Sequence, residues 1–190
     1  MVNGIAATNN LADALAAATL AGNRPASLDN GLSKAEIAGI FAGTITHWSQ
    51  VQGLEALDKP VILIDRNAGS GAKAAANQYF LNNPGGLAFS GAIQPANQGA
   101  EAGIGDIVNF AAYAVRTEPS AGNVPGVLNS VFDKGAYGIG ILGLENLPSV
   151  TSKWRFVAIN GARATNPAGT AFDKEQAITG QYDYFFQASV

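Results

Sequence analysis

The stretch Val61–Phe80, VILIDRNAGSGAKAAANQYF, contains the two kinds of element that decide the fold. Its first four residues are apolar and mostly β-branched, which predicts a buried strand. The segment AKAAANQYF at its end, extended by LNN, predicts a helix that stops at Pro84-Gly85-Gly86. Arginine, glycine and serine lie between them, so the stretch is a strand, a tight turn and a helix in succession.

The same alternation continues on both sides of this unit. Strands are predicted in residues 1–10, near 113–117, in 136–145 and in 154–160, with a terminal aromatic strand that includes Tyr182, Tyr184, Phe185 and Phe186. Helices are predicted at 33–43 and 124–135, while 11–23 suits either a short helix or an extended segment. Strands that alternate with helices predict an α/β fold with a mixed central sheet flanked by helices.

The helix at 33–43 has clear signals at both ends. Ser33 can cap its first turn, and Glu36 three residues later completes a capping box. Gly43 then ends the apolar stripe, as glycine commonly does after the last helical turn.

Composition excludes several classes of function. The chain has 190 residues, a net charge of -3 and 13% charged residues, so it lacks the clustered basic charge that nucleic acid or anionic lipid would require. No cysteine is present and His47 is the single histidine, which excludes thiolate and multi-histidine metal sites. No run approaches the roughly 18 apolar residues of a membrane span. We therefore expect no cofactor, no nucleic acid and no membrane insertion.

The turn between the strand and the helix has the composition of an anion site. Glycines Gly69 and Gly71 allow the backbone N–H groups, including that of Ala72, to point at a ligand, and a helix N-terminus favours negative charge. Ser70 adds a hydroxyl donor, and Arg66 can fork two N–H bonds onto an oxyanion. The alternative is a plain strand-to-helix turn whose arginine forms a surface salt bridge.

A second turn, Ser120–Asn123, also precedes a predicted helix. The N–H groups of Gly122 and Asn123 would line the same cleft if both turns lie at one edge of the sheet. The simpler interpretation, which we favour, is a helix cap formed by Asn123, with Pro125 in the first turn.

Two short motifs known from catalytic or cofactor sites match this sequence in residue spacing, but the structural context that each motif needs is missing. Residues 70–73 match S-x-x-K, but the partner motifs of serine β-lactamases are missing. Residues 138–143 match G-x-G-x-x-G within a predicted strand, where small residues for close packing explain the glycines better than a dinucleotide site does. We expect no enzymatic activity.

Three ordered blocks resemble the periplasmic phosphate-binding proteins of ABC transporters. The blocks are LSKAEIAGIFAGTITHWSQV at 32–51, VILIDRNAGSGAKAAANQYF at 61–80 and SAGNVPGVLNSVFDKGAYGIGILGLENL at 120–147. The resemblance implies a type II periplasmic-binding-protein lobe, with residues 1–190 forming one domain. The resemblance further implies that this domain is the second lobe and that the first lobe is absent from this chain. Arg66, Ser70 and Gly71 occupy ligand positions of the family.

The resemblance also implies a function. We expect non-catalytic binding of phosphate or a related oxyanion, in the periplasm or outside the cell, with the missing first lobe and the membrane subunits of an ABC transporter as partners. Ala72 replaces a hydroxyl residue of the family, and Ala68 replaces an acidic one. Lys73 either restores positive charge at the site or faces solvent. The alternative function is an envelope interaction module that has lost anion binding.

Overall fold

One mixed sheet organises the protein. The structure is a computed structural model, which describes residues 2–83, 93–96 and 111–185. The strands are β1 (Asn3–Thr8), β2 (Val61–Arg66), β3 (Ala114–Glu118), β4 (Tyr137–Gly143) and β5 (Trp154–Val157). Their order is β3-β2-β4-β1-β5, with β2 parallel to β3 and β4, and β1 antiparallel to β4 and β5. The predicted mixed sheet is therefore confirmed.

Helices cover both faces of this sheet. They are α1 (Asn9–Leu20), α2 (Lys34–Ala42), α3 (Gly71–Leu81), α4 (Val124–Asp133) and the short α5 (Glu175–Ile178). Ile64 points toward α4, whereas its neighbour Asp65 contacts α3, and successive strand residues face opposite ways. Thus α3 and α4 lie on opposite faces. Because both faces are covered, β2 is buried from Val61 to Asp65 and reads as an almost continuous apolar run.

The segment after β1 is a helix, which resolves the two alternatives left by the sequence. Helix α1 starts at Asn9, directly after the strand, and buries Leu11 and Leu15. Its N-terminus is tied to the sheet because the Asn9 backbone N–H donates to the Lys153 carbonyl at 2.8 Å.

The predicted capping box of α2 is confirmed. The Ser33 hydroxyl accepts from the Glu36 N–H at 3.1 Å, and the Glu36 carboxylate accepts from the Ser33 N–H at 2.8 Å. Gly43 ends the helix with a φ of 73°, in the left-handed region that glycine adopts without strain. The same Glu36 carboxylate binds both terminal nitrogens of Arg24, at 3.0 and 2.9 Å. This buried pair ties the loop after α1 to the start of α2.

The glycines of β4 serve packing, as the sequence predicted. A Cβ on Gly138 would lie 3.1 Å from the Val131 side chain, and one on Gly140 would lie 3.0 Å from the Val124 side chain. Both contacts are with α4, so the two glycines let this helix approach the sheet closely.

The predicted cap of α4 by Asn123 is wrong. Asn123 makes no side-chain cap hydrogen bond; Ser120 instead begins a 3-10 turn, Ala121–Asn123, that runs into the helix. The Ser120 hydroxyl accepts from the Gly122 N–H at 3.2 Å. The extra turn moves the capping residue three positions upstream.

The C-terminal aromatic residues do not form the strand predicted for them. Tyr182 and Tyr184 are buried, at 3% and 1% exposure, whereas Phe185 is 53% exposed, so the expected alternation holds. Pairing is limited to a bridge between Val2 and Phe185 among the described residues. Phe186 lies outside the described residues, as does the predicted stop of α3 at Pro84-Gly85-Gly86; the helix ends at Leu81, before a left-handed Asn82.

Candidate functional site

The candidate site lies where β2 and β3 end. These strands are parallel and in register, with Arg66 opposite Glu118. The loop to α3 and the loop to α4 therefore leave the same edge of the sheet, and both helices begin there. Ligands of open α/β sheets bind at such carboxyl edges, where helix N-termini offer N–H groups.

Arg66 is fixed at this edge by backbone carbonyls of the neighbouring strand. Its Nε donates to the Glu118 carbonyl at 3.1 Å and its Nη2 to the Pro119 carbonyl at 3.3 Å. Neutral carbonyls orient the guanidinium but leave its charge in place. Burial lowers the pKa of Arg66, and the nearby Asp65 and Glu118 carboxylates oppose that shift. An arginine stays protonated under such a perturbation, so Arg66 presents a cation at the edge.

Glu118 does not pair with Arg66 although the two residues are opposite each other. Its carboxylate accepts from Arg116 Nε at 2.5 Å, and the Glu118 side chain is 1% exposed. Glu118 and Arg116 are not among the site residues that the sequence predicts. The sequence RTE at 116–118 indicates this ion pair, because an arginine and a glutamate two residues apart on a strand lie on the same face.

The first turn of α3 retains free backbone donors. Ser70 is the N-cap, and its hydroxyl oxygen accepts from the Lys73 N–H at 3.5 Å. The N–H groups of Gly71 and Ala72 have no acceptor among the residues that the structure describes. A Cβ on Gly69 would meet nothing within 4 Å, so the turn is open at this position.

Lys73 takes neither of the two positions that the sequence suggested. Its side chain is buried rather than in solvent, and Nζ pairs with Asp65 Oδ2 beneath the turn. The other Asp65 oxygen accepts from the Arg66 N–H at 2.8 Å. Burial raises the pKa of Asp65, and the lysine only partly offsets it. The neutral pair adds no net charge to the site, so Lys73 cannot replace the hydroxyl missing at Ala72.

The loop before α4 offers fewer donors than the sequence suggested. The Gly122 N–H already donates to the Ser120 hydroxyl, and the Asn123 N–H donates to the Ser120 carbonyl at 3.2 Å. Both residues are exposed and lie at the same edge as the α3 turn. The fold therefore brings the two predicted turns to one edge, with free donors concentrated at α3.

Within residues 2–83, 93–96 and 111–185, no group of three His, Cys, Asp or Glu side chains is arranged to hold a metal ion. None of the helices there is long and apolar enough to cross a membrane.

The carboxyl-edge site on a mixed sheet is that of an α/β solute-binding lobe, and a family comparison agrees. A model of the PBP superfamily domain, the periplasmic-binding-protein superfamily, matches residues 5–173. The chain therefore belongs to this superfamily of solute-binding proteins. The comparison with curated proteins found no match.

Among solved structures, the chain is similar to PstS from Borrelia burgdorferi. The two are 14% identical with a TM-score of 0.48, and the match covers 97% of this chain and 64% of the PstS chain. The chain thus spans less than two thirds of the length of that protein.

Proposed function

We propose that the chain binds phosphate or a related small oxyanion at the edge formed by Arg66 and the first turn of α3. The strongest support for this proposal is that the guanidinium of Arg66 is held in place without a counter-charge in the described part of the chain. Two carbonyls orient its guanidinium, and it makes no ion pair among the described residues. The N–H groups of Gly71 and Ala72, which have no acceptor among the described residues, lie at the same edge of the sheet. They are the donors that an anion site at a helix N-terminus uses.

The affinity of this edge alone should be low. Two or three charge-assisted hydrogen bonds contribute about 1.5–3 kcal/mol each. Association entropy offsets much of that sum, which leaves roughly millimolar binding. Clamping by a first lobe would add donors and exclude water. We therefore propose that the chain acts as the second lobe of an exported binding protein that serves an ABC importer.

A second candidate function is an interaction module that has lost anion binding. Specific contacts favour it: the Ser70 oxygen is used as a helix cap, Lys73 is neutralised by Asp65, and the Gly122 N–H is used by Ser120. The module would sit in the cell envelope and use the same lobe as a docking surface.

An NMR titration separates the two functions. Phosphate, sulfate and arsenate are added separately at constant ionic strength, while the amide signals of residues 66–73 are followed. Retained binding gives saturable shifts confined to the α3 turn, with the largest changes at Gly71 and Ala72.

Arg66→Ala should abolish these shifts, since it removes the only charge assigned to the ligand. Arg155→Ala is the matched control, because Arg155 is a partly exposed strand arginine whose partner is Asp13 at 2.6 Å. This control should bind like the wild type. The absence of any shift at tens of millimolar anion would leave the interaction module as the better function.

A further inference from the structure

A polar pocket of about 250 Å³ lies beyond the carboxyl end of β5. One wall is the segment after that strand, with Arg163 and Thr165, and the other is α5 with the residues that follow it. The two walls are joined where the Gln176 side chain accepts from the Arg163 N–H at 2.5 Å. In the sheet, β4 and β1 separate β5 from β2, so the pocket is roughly 14 Å across the sheet from Arg66.

Arg163 is built into the wall of this pocket. The residue is 7% exposed, and its Nε and Nη2 donate to the side chain and carbonyl of Asp29. Nη1 has no acceptor among the described residues, yet it is not one of the fully enclosed atoms. Arg163 lines the pocket and forms an ion pair with Asp29, so Nη1 is the guanidinium nitrogen that remains available to a ligand.

Two acidic residues also line the pocket, and both are exposed. Asp173 lies beside Arg163, since its N–H donates to the Ala164 carbonyl at 3.0 Å, whereas Glu175 begins α5. One Asp173 oxygen accepts from the Glu175 N–H at 3.1 Å, whereas no hydrogen bond engages the Glu175 carboxylate among the described residues. Thr179 and Gln181 add a hydroxyl and an amide. One small cavity is thus lined by an arginine and two carboxylates.

We propose that this pocket binds a small zwitterion of the free α-amino-acid type. The ligand carboxylate would take the two N–H groups of Arg163 Nη1, and its ammonium group would lie between Asp173 and Glu175. A simple anion would meet two carboxylates, whereas a simple cation would leave Arg163 Nη1 without an acceptor. The volume is below the roughly 300–1,000 Å³ of sites for drug-sized molecules, which restricts the ligand to a few heavy atoms.

The test is an NMR titration of the whole chain with L-alanine, acetate, methylammonium and glycerol. L-Alanine should give saturable shifts at residues 163–181 in the millimolar range. Acetate and methylammonium each lose one charged contact, so they should bind at least about tenfold more weakly. Glycerol binding as tightly as L-alanine would overturn the zwitterion assignment, as would the absence of shifts with L-alanine at tens of millimolar.

Variants locate the two ends of the ligand. Glu175→Gln should weaken L-alanine binding severalfold, while Lys174→Gln, an exposed neighbour that does not line the pocket, should leave it unchanged. Arg163→Gln should abolish binding; because Asp29 then loses its partner, the fold of this variant is checked from its amide spectrum. Equal affinity of the wild type and Glu175→Gln would overturn the proposal even if Arg163→Gln does not fold.

Discussion

Asp65 and Lys73 show how much a single buried charge depends on its partner. Both side chains are almost completely enclosed, at 2% and 5% exposure. Asp65→Asn should destabilise the protein by about 3–5 kcal/mol, because Lys73 would remain in the interior without a counter-charge. Urea unfolding of the two proteins measures the difference.

The double variant Asp65→Leu/Lys73→Met is the control for that prediction. Apolar side chains of similar size remove both charges together, and such replacements are often neutral or stabilising. The double variant should therefore be more stable than Asp65→Asn. If it were equally unstable, packing around α3 rather than charge would explain the loss.

The contribution of Glu36 to the free energy of unfolding depends on pH. Burial disfavours its charged form, but hydrogen bonds from Arg24 and from the Ser33 N–H outweigh that effect and lower the pKa of Glu36. A carboxylate with a lowered pKa stabilises the fold above its unfolded pKa of about 4.3, and this contribution is lost as the pH falls through the folded pKa. Glu36→Gln should cost about 2 kcal/mol or more at pH 7, and the cost should shrink below about pH 4.

Urea unfolding at pH 7, 5 and 3.5 measures the difference in the free energy of unfolding between the wild type and Glu36→Gln. Asp13→Asn provides a control, since Asp13 pairs with Arg155 but its side chain is 71% exposed. Exposed ion pairs contribute little to stability, so the free energy of unfolding of Asp13→Asn should differ from that of the wild type by less than about 1 kcal/mol at every pH. A Glu36→Gln gap that stays constant with pH would show that the carboxylate charge is not the source of the stability.

The contact between helix α4 and strand β4 depends on glycine. A Cβ on Gly140 would lie 3.0 Å from Val124 Cγ1 and 3.1 Å from the Ile64 carbonyl oxygen. Gly140→Ala should therefore cost about 1–3 kcal/mol, because the helix must move away from the sheet. Thermal unfolding measures the loss.

Gly126 provides a glycine control in α4 itself. Nothing lies within 4 Å of its Cβ position. Gly126→Ala should stabilise the protein by about 0.4–1 kcal/mol, because alanine reduces the freedom of the unfolded chain. Equal effects of the two substitutions would contradict the close approach of α4 to β4.

Helices, strands and caps were predictable where they depend on residues that are close together in the sequence. The apolar run of β2 and the Ser33–Glu36 box each depend on residues close in sequence, and both are confirmed. The cap of α4 failed for a local reason: Asn123 and Ser120 are both good capping residues, and the sequence does not show that a 3-10 turn lies between them.

The partners of charged residues were not predictable from the same signals. Arg66 and Lys73 looked alike as cations beside a glycine turn, yet Lys73 is buried against Asp65 and Arg66 reaches the carbonyls of β3. Side chains of this length reach several neighbours, and the choice depends on tertiary packing. The sequence did not predict Arg163 as a site residue, because its pocket is formed by segments that come together only in the folded chain.

Both proposed sites lie beyond strands that run in the same direction. Strand β5 is antiparallel to β1, as β4 is, so the ends of β2, β3, β4 and β5 share one edge. The antiparallel β1 contributes its start to that edge, where the Asn3 N–H donates to the Tyr184 carbonyl at 3.1 Å. One edge thus carries both the proposed oxyanion site and the proposed zwitterion pocket, and in the proposed two-lobe protein the first lobe would close over this edge.

Binding at this edge should also be visible as stability of the whole protein. With a dissociation constant of about 1 mM, phosphate at about 50 mM should raise the free energy of unfolding by about 2 kcal/mol. Phosphate also stabilises proteins in general through exclusion from their surface. The informative quantity is therefore the difference between the wild type and Arg66→Ala, measured by urea unfolding in phosphate and in chloride at equal ionic strength. Retained binding predicts that the phosphate increment is about 2 kcal/mol larger in the wild type, whereas equal increments would mean that the folded edge does not hold the anion and would favour the interaction module.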